Sequence, residues 1–215
     1  MNKVDIKKQV YETAVEIYTS KLVTGTWGNV SHRLEEDHLI ITPSGMDYNT
    51  LTPEDMLVVD DTGQVIEGKY KPSVETPMHI AIYKARPEVK AIVHVHSPYA
   101  TAFAVANQPI PVILEETAQV IGHPVKVADY ALCGSEELAD AVTKCITGQE
   151  KAVLLANHGL VALGASTKEA LKICFIAEKT AMIALYARQL GSINVLSAEE
   201  TAILNEKFKS YGQQK

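Results

Sequence analysis

Short apolar runs alternate along the chain with segments whose apolar residues recur at i, i+3 and i+4. That pattern predicts strands and helices in turn. In residues 2–22, Val4, Tyr11, Ala14, Val15, Ile17 and Tyr18 recur at helical spacing, and the segment stops before the turn-rich Thr24-Gly25-Thr26-Trp27-Gly28-Asn29. Short strands follow near 29–32 and 38–42, and Pro43-Ser44-Gly45 breaks the pattern. Residues 56–59 and 64–67 flank Asp60-Asp61-Thr62-Gly63, a hairpin signal. A helix is predicted over residues 76–85, with Pro77 in its first turn and Pro87 at its end.

The second half repeats the theme. Ala91-Ile92-Val93-His94-Val95-His96-Ser97 reads as a buried strand, and 98–106 as a helix packed on the sheet. Pro109-Ile110-Pro111 is a loop or an edge segment. Ser135 is a candidate N-cap for a helix to Cys145, with Glu136 and Glu137 favourably placed in its first turn. Strands at 152–156 and 160–163 precede a long helix over 167–190, whose Leu171, Ile173, Phe175, Ile176 and Ile183 are expected mostly inside. Ser197-Ala198-Glu199-Glu200 starts a last helix by capping. No repeat, low-complexity tract or linker interrupts the 215 residues, so residues 1–215 are expected to form a single α/β domain, a sheet with helices on its faces.

Composition narrows the function classes. The chain is 47% apolar and 21% charged, as in ordinary globular proteins. A net charge of −6, with no basic cluster among aromatics, argues against nucleic acid as the main partner. No 18-residue apolar stretch suggests a membrane span, and the charged start does not resemble a signal peptide. Three cysteines, Cys133, Cys145 and Cys174, without CxxC spacing suit reduced, mostly buried residues of a cytoplasmic protein.

His94-Val95-His96 changes the picture most. On a strand the two histidines share a face, roughly 7 Å apart at the backbone, while the valines face the other way into a core. Both rings can turn onto one ion at about 2.0–2.1 Å. A hydrogen-bonded or half-exposed pair is the competing reading. Two further segments favour the ion. Asn157-His158-Gly159 ends a second strand on a histidine, and Glu75 stands at a helix start in Pro72-Ser73-Val74-Glu75-Thr76-Pro77. Three neutral imidazoles and a carboxylate make an open or closable Zn²⁺ set. Gly28-Asn29 and Ser44-Gly45 supply backbone N–H groups and small polar side chains for an anion. Ser73 adds a hydroxyl at a helix N-terminus, which favours phosphate. Neither loop is a nucleotide fingerprint.

Gly25-Thr26-Trp27-Gly28-Asn29-Val30-Ser31, Ile41-Thr42-Pro43-Ser44-Gly45, Pro72-Ser73-Val74-Glu75, His94-Val95-His96 and Asn157-His158-Gly159-Leu160 stand in the order seen in one enzyme family. From about Tyr11 onward the chain resembles the class II (zinc-dependent) sugar-phosphate aldolase and ribulose-phosphate 4-epimerase family, nearest to its fuculose-phosphate aldolases. The tail Glu206-Lys207-Phe208-Lys209-Ser210-Tyr211-Gly212 shares the likeness. The resemblance implies an α/β fold with a mainly antiparallel central sheet and a homotetramer with sites at subunit interfaces. It implies Zn²⁺ on His94, His96 and His158 with Glu75 beside it, a phosphate pocket lined by Gly28, Asn29, Ser44, Gly45 and Ser73, and Tyr211 reaching toward the site.

The activity implied is retro-aldol cleavage of a ketose 1-phosphate to dihydroxyacetone phosphate and a short aldehyde, with Glu75 as acid/base. The epimerases carry an aspartate where this chain has Glu75, which favours the aldolase. Aldolases for 5-deoxy-pentulose phosphates keep the glutamate and compete closely. Two positions depart from the pattern. Val74 stands where the family often has a second serine. Glu115 stands where the fuculose-phosphate aldolases place a proton-donating tyrosine. Glu115 or Glu116 could replace that donor, or both could be a solvated turn. A non-catalytic metal-binding module is the reading of another class, but closed structural zinc sites are usually cysteine-rich, and no cysteine neighbours these histidines in sequence.

Overall fold

In the computed structural model, which describes residues 2–34 and 37–209, the strand-forming runs join one sheet. Its strands are β1 (Gly28–Arg33), β2 (Leu39–Ile41), β3 (Leu57–Val59), β4 (Val65–Glu67), β5 (Ala91–Val95), β6 (Lys126–Ala128), β7 (Ala152–Leu155) and β8 (Gly159–Gly164). They lie in the order β4-β3-β2-β1-β5-β8-β7-β6. Among the described residues only β6 and β7 run parallel; the other pairs are antiparallel, so the sheet is mainly antiparallel as the resemblance implied. The helices are α1 (Lys3–Thr19), α2 (Thr76–Ala85), α3 (Pro98–Val105), α4 (Glu115–Val120), α5 (Glu136–Cys145), α6 (Thr167–Leu190) and α7 (Ala198–Lys209). Among the described residues, no helix is long and apolar enough to cross a membrane.

Strand alternation sorts the core into two layers. Val30, Val93, Val95 and Leu160 pack with Ile17 of α1, Phe103 of α3 and Ile173 of α6. On the opposite face Ile41, Leu57, Ile92 and Val161 pack with Met78 and Ile82 of α2 and with Leu138 and Val142 of α5. Each such fully buried side chain contributes about 1.5–3 kcal/mol. His94, two residues after Ile92, therefore shares the α2 side of the sheet, while Val93 and Val95 fill the other layer.

Local capping sets the helix ends. The Ser135 side chain accepts from Leu138 N at 3.1 Å, and Ser197 and Glu200 form a reciprocal capping box at 3.1 and 2.7 Å. In the β3–β4 turn the Asp60 carboxylate accepts from the backbone of Thr62 and Gln64.

Three features differ from the sequence reading. Glu115 and Glu116 open helix α4 instead of lying in a turn; Thr117, Ala118 and Val120 anchor it in the core. The three-residue β6 adds a parallel edge strand. In α6, Ile173 is buried as expected, but Phe175 is exposed and Leu171, Ile176 and Ile183 are only half-buried. The buried stripe of α6 is mostly small: Ala170, Cys174, Ala177, Thr180, Ala181 and Ala184, spaced by three and four, let the helix approach the sheet closely.

Candidate active site

Three loops and two strand ends meet where β1 lies beside β5. Asn29 pairs with His94 across the sheet, and Leu160 of β8 with Val95. His96 follows the end of β5. His158 sits in the β7–β8 turn, where Asn157 takes the left-handed φ of 58° that asparagine tolerates. The three imidazole rings stand 4.8–4.9 Å apart by centroid, all edge to face. His94 Nε2 and His96 Nε2 are 2.9 Å apart.

Gly159 makes room for this. A Cβ there would lie 2.5 Å from Val95 O, 3.1 Å from the His96 ring and 3.2 Å from the His94 ring. Gly159→Ala is therefore expected to cost about 1–3 kcal/mol by overpacking, and to lower metal content by pushing the rings apart. Thermal melting and metal analysis check this; parent values in both would show that the contact relaxes freely.

The protonation pattern follows from the surroundings. His94 Nδ1–H donates to Leu160 O at 3.1 Å, so Nε2 carries the lone pair. Burial pushes His94 and His96 down to about 3, which keeps both rings neutral. Glu75, buried at the N-cap of α2, turns its carboxylate onto them: Oε2 lies 3.1 Å from His94 Nε2, and Oε1 lies 3.5 Å from His158 Nε2. Asn29 Nδ2 donates to Oε2 at 2.7 Å. Oε1, equally buried, has no hydrogen-bond partner among the described residues. Imidazole lone pairs and a carboxylate packed this closely repel one another unless a cation lies among them. That orphaned oxygen and this donor set fit a divalent metal held by His94, His96 and His158 with Glu75 beside it.

The histidine edge opens onto a cavity of about 440 Å³. Gly28, Asn29, Ser44, Gly45 and Ser73 all line it, with Glu75, His96 and His158. Ser73, Val74 and Glu75, the residues that lead into α2, line this end, so the positive end of the helix dipole lies beside it and favours an anion. Ser73 Oγ accepts from Glu75 N at 3.3 Å, which ties the anion end to the carboxylate. The Asn29 amide, by contrast, is used within the protein, toward Glu75 on one side and His79 on the other.

Some lining residues were not read from the sequence. Trp27 stands edge-on to His96 with centroids 5.9 Å apart. Its place inside the glycine loop was the available signal. Cys133, one of three cysteines expected to be mostly buried and distant in sequence from the histidines, is exposed and lines the cavity near Glu75 and His158. Desolvation, with the nearby Glu75 charge, holds its thiol at about 11, so it stands there protonated. Only folding reveals it, since no motif surrounds it. Glu115 and Glu116 do not line the cavity within this chain. Glu116 pairs with Lys179 of α6 at 2.6 Å on the surface. Tyr211 lies outside the described residues.

A mainly antiparallel sheet that carries a three-histidine set, a buried carboxylate and a helix N-terminus around one pocket defines an enzyme of metal-assisted chemistry on anionic substrates. Residues 8–185 match the family Class II Aldolase and Adducin N-terminal domain. The L-fuculose phosphate aldolase of Escherichia coli O6:H1 is 37% identical over 213 residues, 99% of this chain and 98% of that one. The 5-methylthioribulose-1-phosphate/5-deoxyribulose-1-phosphate aldolase of Escherichia coli O45:K1 is 38% identical over 216 residues, 99% of each. A solved L-fuculose 1-phosphate aldolase superposes with a TM-score of 0.92 at 37% identity, covering 97% of this chain and 98% of its own. The chain belongs to the class II aldolase family, and it is a carbon–carbon lyase of sugar-phosphate metabolism.

Proposed function

We propose that the protein cleaves a ketose 1-phosphate, such as L-fuculose 1-phosphate, to dihydroxyacetone phosphate and a short aldehyde. The observation that carries this is Glu75: one carboxylate oxygen anchored, the other buried and without a hydrogen-bond partner beside the rings of His94, His96 and His158. Zn²⁺ is the metal this reading assigns to His94, His96 and His158, and as a Lewis acid it would offset the negative charge that cleavage creates.

The side chains do the rest. Ser44, Gly45 and Ser73, with the α2 N-terminus, hold the phosphate, while Gly28 and Asn29 wall its pocket; together they fix the reacting carbons in one place. As the C3–C4 bond breaks, its electron pair moves toward the C2 oxygen and the C4 hydroxyl gives up its proton to leave as the aldehyde. Glu75 takes up a proton from the open cavity through its free Oε1 and delivers it to C3, which completes dihydroxyacetone phosphate, while the C4 hydroxyl proton leaves through a second group.

The same reading includes a homotetramer with sites between subunits and a place in the cytoplasm. Trp27 and Val74 line the pocket and are each more than half exposed, an apolar rim that a neighbouring subunit would cover. In that assembly the partner for the C4 hydroxyl proton comes from Glu115, Glu116 or Tyr211 of a neighbouring chain. Glu115→Gln and Glu116→Gln separate these. Gln at the working position should lower turnover with short aldehydes, and Gln at the other should do little. If both single variants and the double variant match the parent at every pH, the role passes to Tyr211.

A 5-deoxy-pentulose 1-phosphate is the second reading, favoured by the 38% identity to a 5-methylthioribulose-1-phosphate/5-deoxyribulose-1-phosphate aldolase; the Trp27 ring beside His96 suits the methyl end of either aldehyde. A panel of fuculose, rhamnulose, ribulose and 5-deoxyribulose 1-phosphates, scored by kcat/KM with and without chelator, decides between them. Cleavage should be lost to chelator and restored by Zn²⁺. Turnover of none of the four would reject the reaction.

A further inference from the structure

Glu75 is the visible end of a longer buried chain. His79 lies one turn later on the same face of α2, fully buried between the helix and β1. Its Nε2 is 2.6 Å from Asn29 Oδ1, and its Nδ1 is 2.7 Å from Ser31 Oγ. Ser31 Oγ is also 2.8 Å from Tyr83 OH, a further turn along α2. Asn29 and Ser31 share a face of β1 by period two, and Glu75, His79 and Tyr83 share a face of α2 by period four, so the two elements meet as a row of polar pairs in a buried layer.

The polarity of this row is fixed from one end. A carboxylate only accepts, so the Asn29 NH₂ faces Glu75 and its carbonyl faces His79. That carbonyl only accepts, so His79 carries its hydrogen on Nε2. Burial keeps the ring neutral, pushing it down to about 3. Nδ1 is then an acceptor, Ser31 donates to it, and Tyr83 donates to Ser31. An unpaired member would be costly in this layer, which makes the row stiff.

We propose that His79 is a positioning residue for Glu75: by holding the Asn29 amide in one orientation, it keeps Oε2 anchored and Oε1 turned into the cavity. Without the Nε2 donor the Asn29 amide is free to turn over, which would set its carbonyl against Oε2 and release the carboxylate. The inference rests on the reading that Glu75 moves the C3 proton.

The test is a pair of variants of similar polarity in the full-length, metal-loaded protein. Gln at this position keeps a donor in reach of Asn29. Asn is shorter; it still meets Ser31 but cannot reach Asn29. Solvent exchange of the C3 proton of dihydroxyacetone phosphate in D₂O, followed by proton NMR, reads the Glu75 step without any aldehyde. His79→Asn should slow exchange by about 10²-fold, the cost of a misplaced reacting group, with KM and metal content little changed, and His79→Gln should keep most of the rate. Equal loss in both variants, or loss that follows melting temperature, would overturn the proposal. No exchange by the parent would instead remove the reaction assigned to Glu75. The positioning is then decided by ¹⁵N spectra of the His79 ring and by the Glu75 rotamer in a crystal structure of His79→Asn. A ring hydrogen on Nε2 and a turned carboxylate support it; a hydrogen on Nδ1 or an unmoved carboxylate overturns it.

Discussion

Glu75→Gln is expected to lower turnover by about 10²–10⁴-fold, the usual contribution of a positioned acid/base group, while the fold and the metal are retained. The side chain is 3% exposed, and Gln has nearly the same shape, so no cavity forms. The amide oxygen can still accept from Asn29 Nδ2, which replaces the 2.7 Å contact to Oε2. What is lost is the second oxygen, the unpartnered Oε1, whose replacement by an amide nitrogen can neither take nor return a proton. The three histidines are untouched, so metal analysis should give the parent value. Proton exchange into dihydroxyacetone phosphate and overall cleavage should fall together, because both need that oxygen. Unchanged turnover in a metal-loaded variant would reject the role.

Much of this was legible because the decisive signals are local. Pro77 and Pro87 bracket α2, and the period-two placement of His94 and His96 on a branched apolar strand put both on one face. Glu75 could be put at a helix start from Ser73 and Pro77 alone. What stayed hidden depends on contacts distant in sequence. Helix α4 has six residues and a charged start, too short for a period to show. The exposure of Phe175 follows from the close approach of α6, whose alanines take the buried stripe. Cys133 reaches the cavity only because the loop before α5 folds against Val74, where Gly134 leaves 2.8 Å between a would-be Cβ and Val74 O. His79 had a signal, its spacing of four from Glu75, but a polar residue inside an apolar helix face shows its purpose only when Asn29 and Ser31 are seen opposite it.

His96→Ala should abolish nearly all activity by removing the metal rather than by unfolding the protein. His96 lies just past the end of β5 and is only half-buried, unlike His94 in the core. Truncation there leaves Trp27 without its ring partner but opens no sealed cavity. The metal-free variant should melt within about 2–4 °C of the metal-free parent, the shift that 1 kcal/mol produces in a chain of this size. Added Zn²⁺ separates the two proteins. A ligand at 100 times its Kd stabilises the native state by about 2.7 kcal/mol, so the parent's melting temperature should rise clearly. The variant keeps two imidazoles and Glu75, and its response should nearly vanish. Metal analysis after dialysis should then find the parent loaded and the variant largely empty. Stoichiometric metal in the variant would mean that His96 is not a ligand, and the site would have to be rebuilt from His94, His158, Glu75 and the neighbouring Cys133.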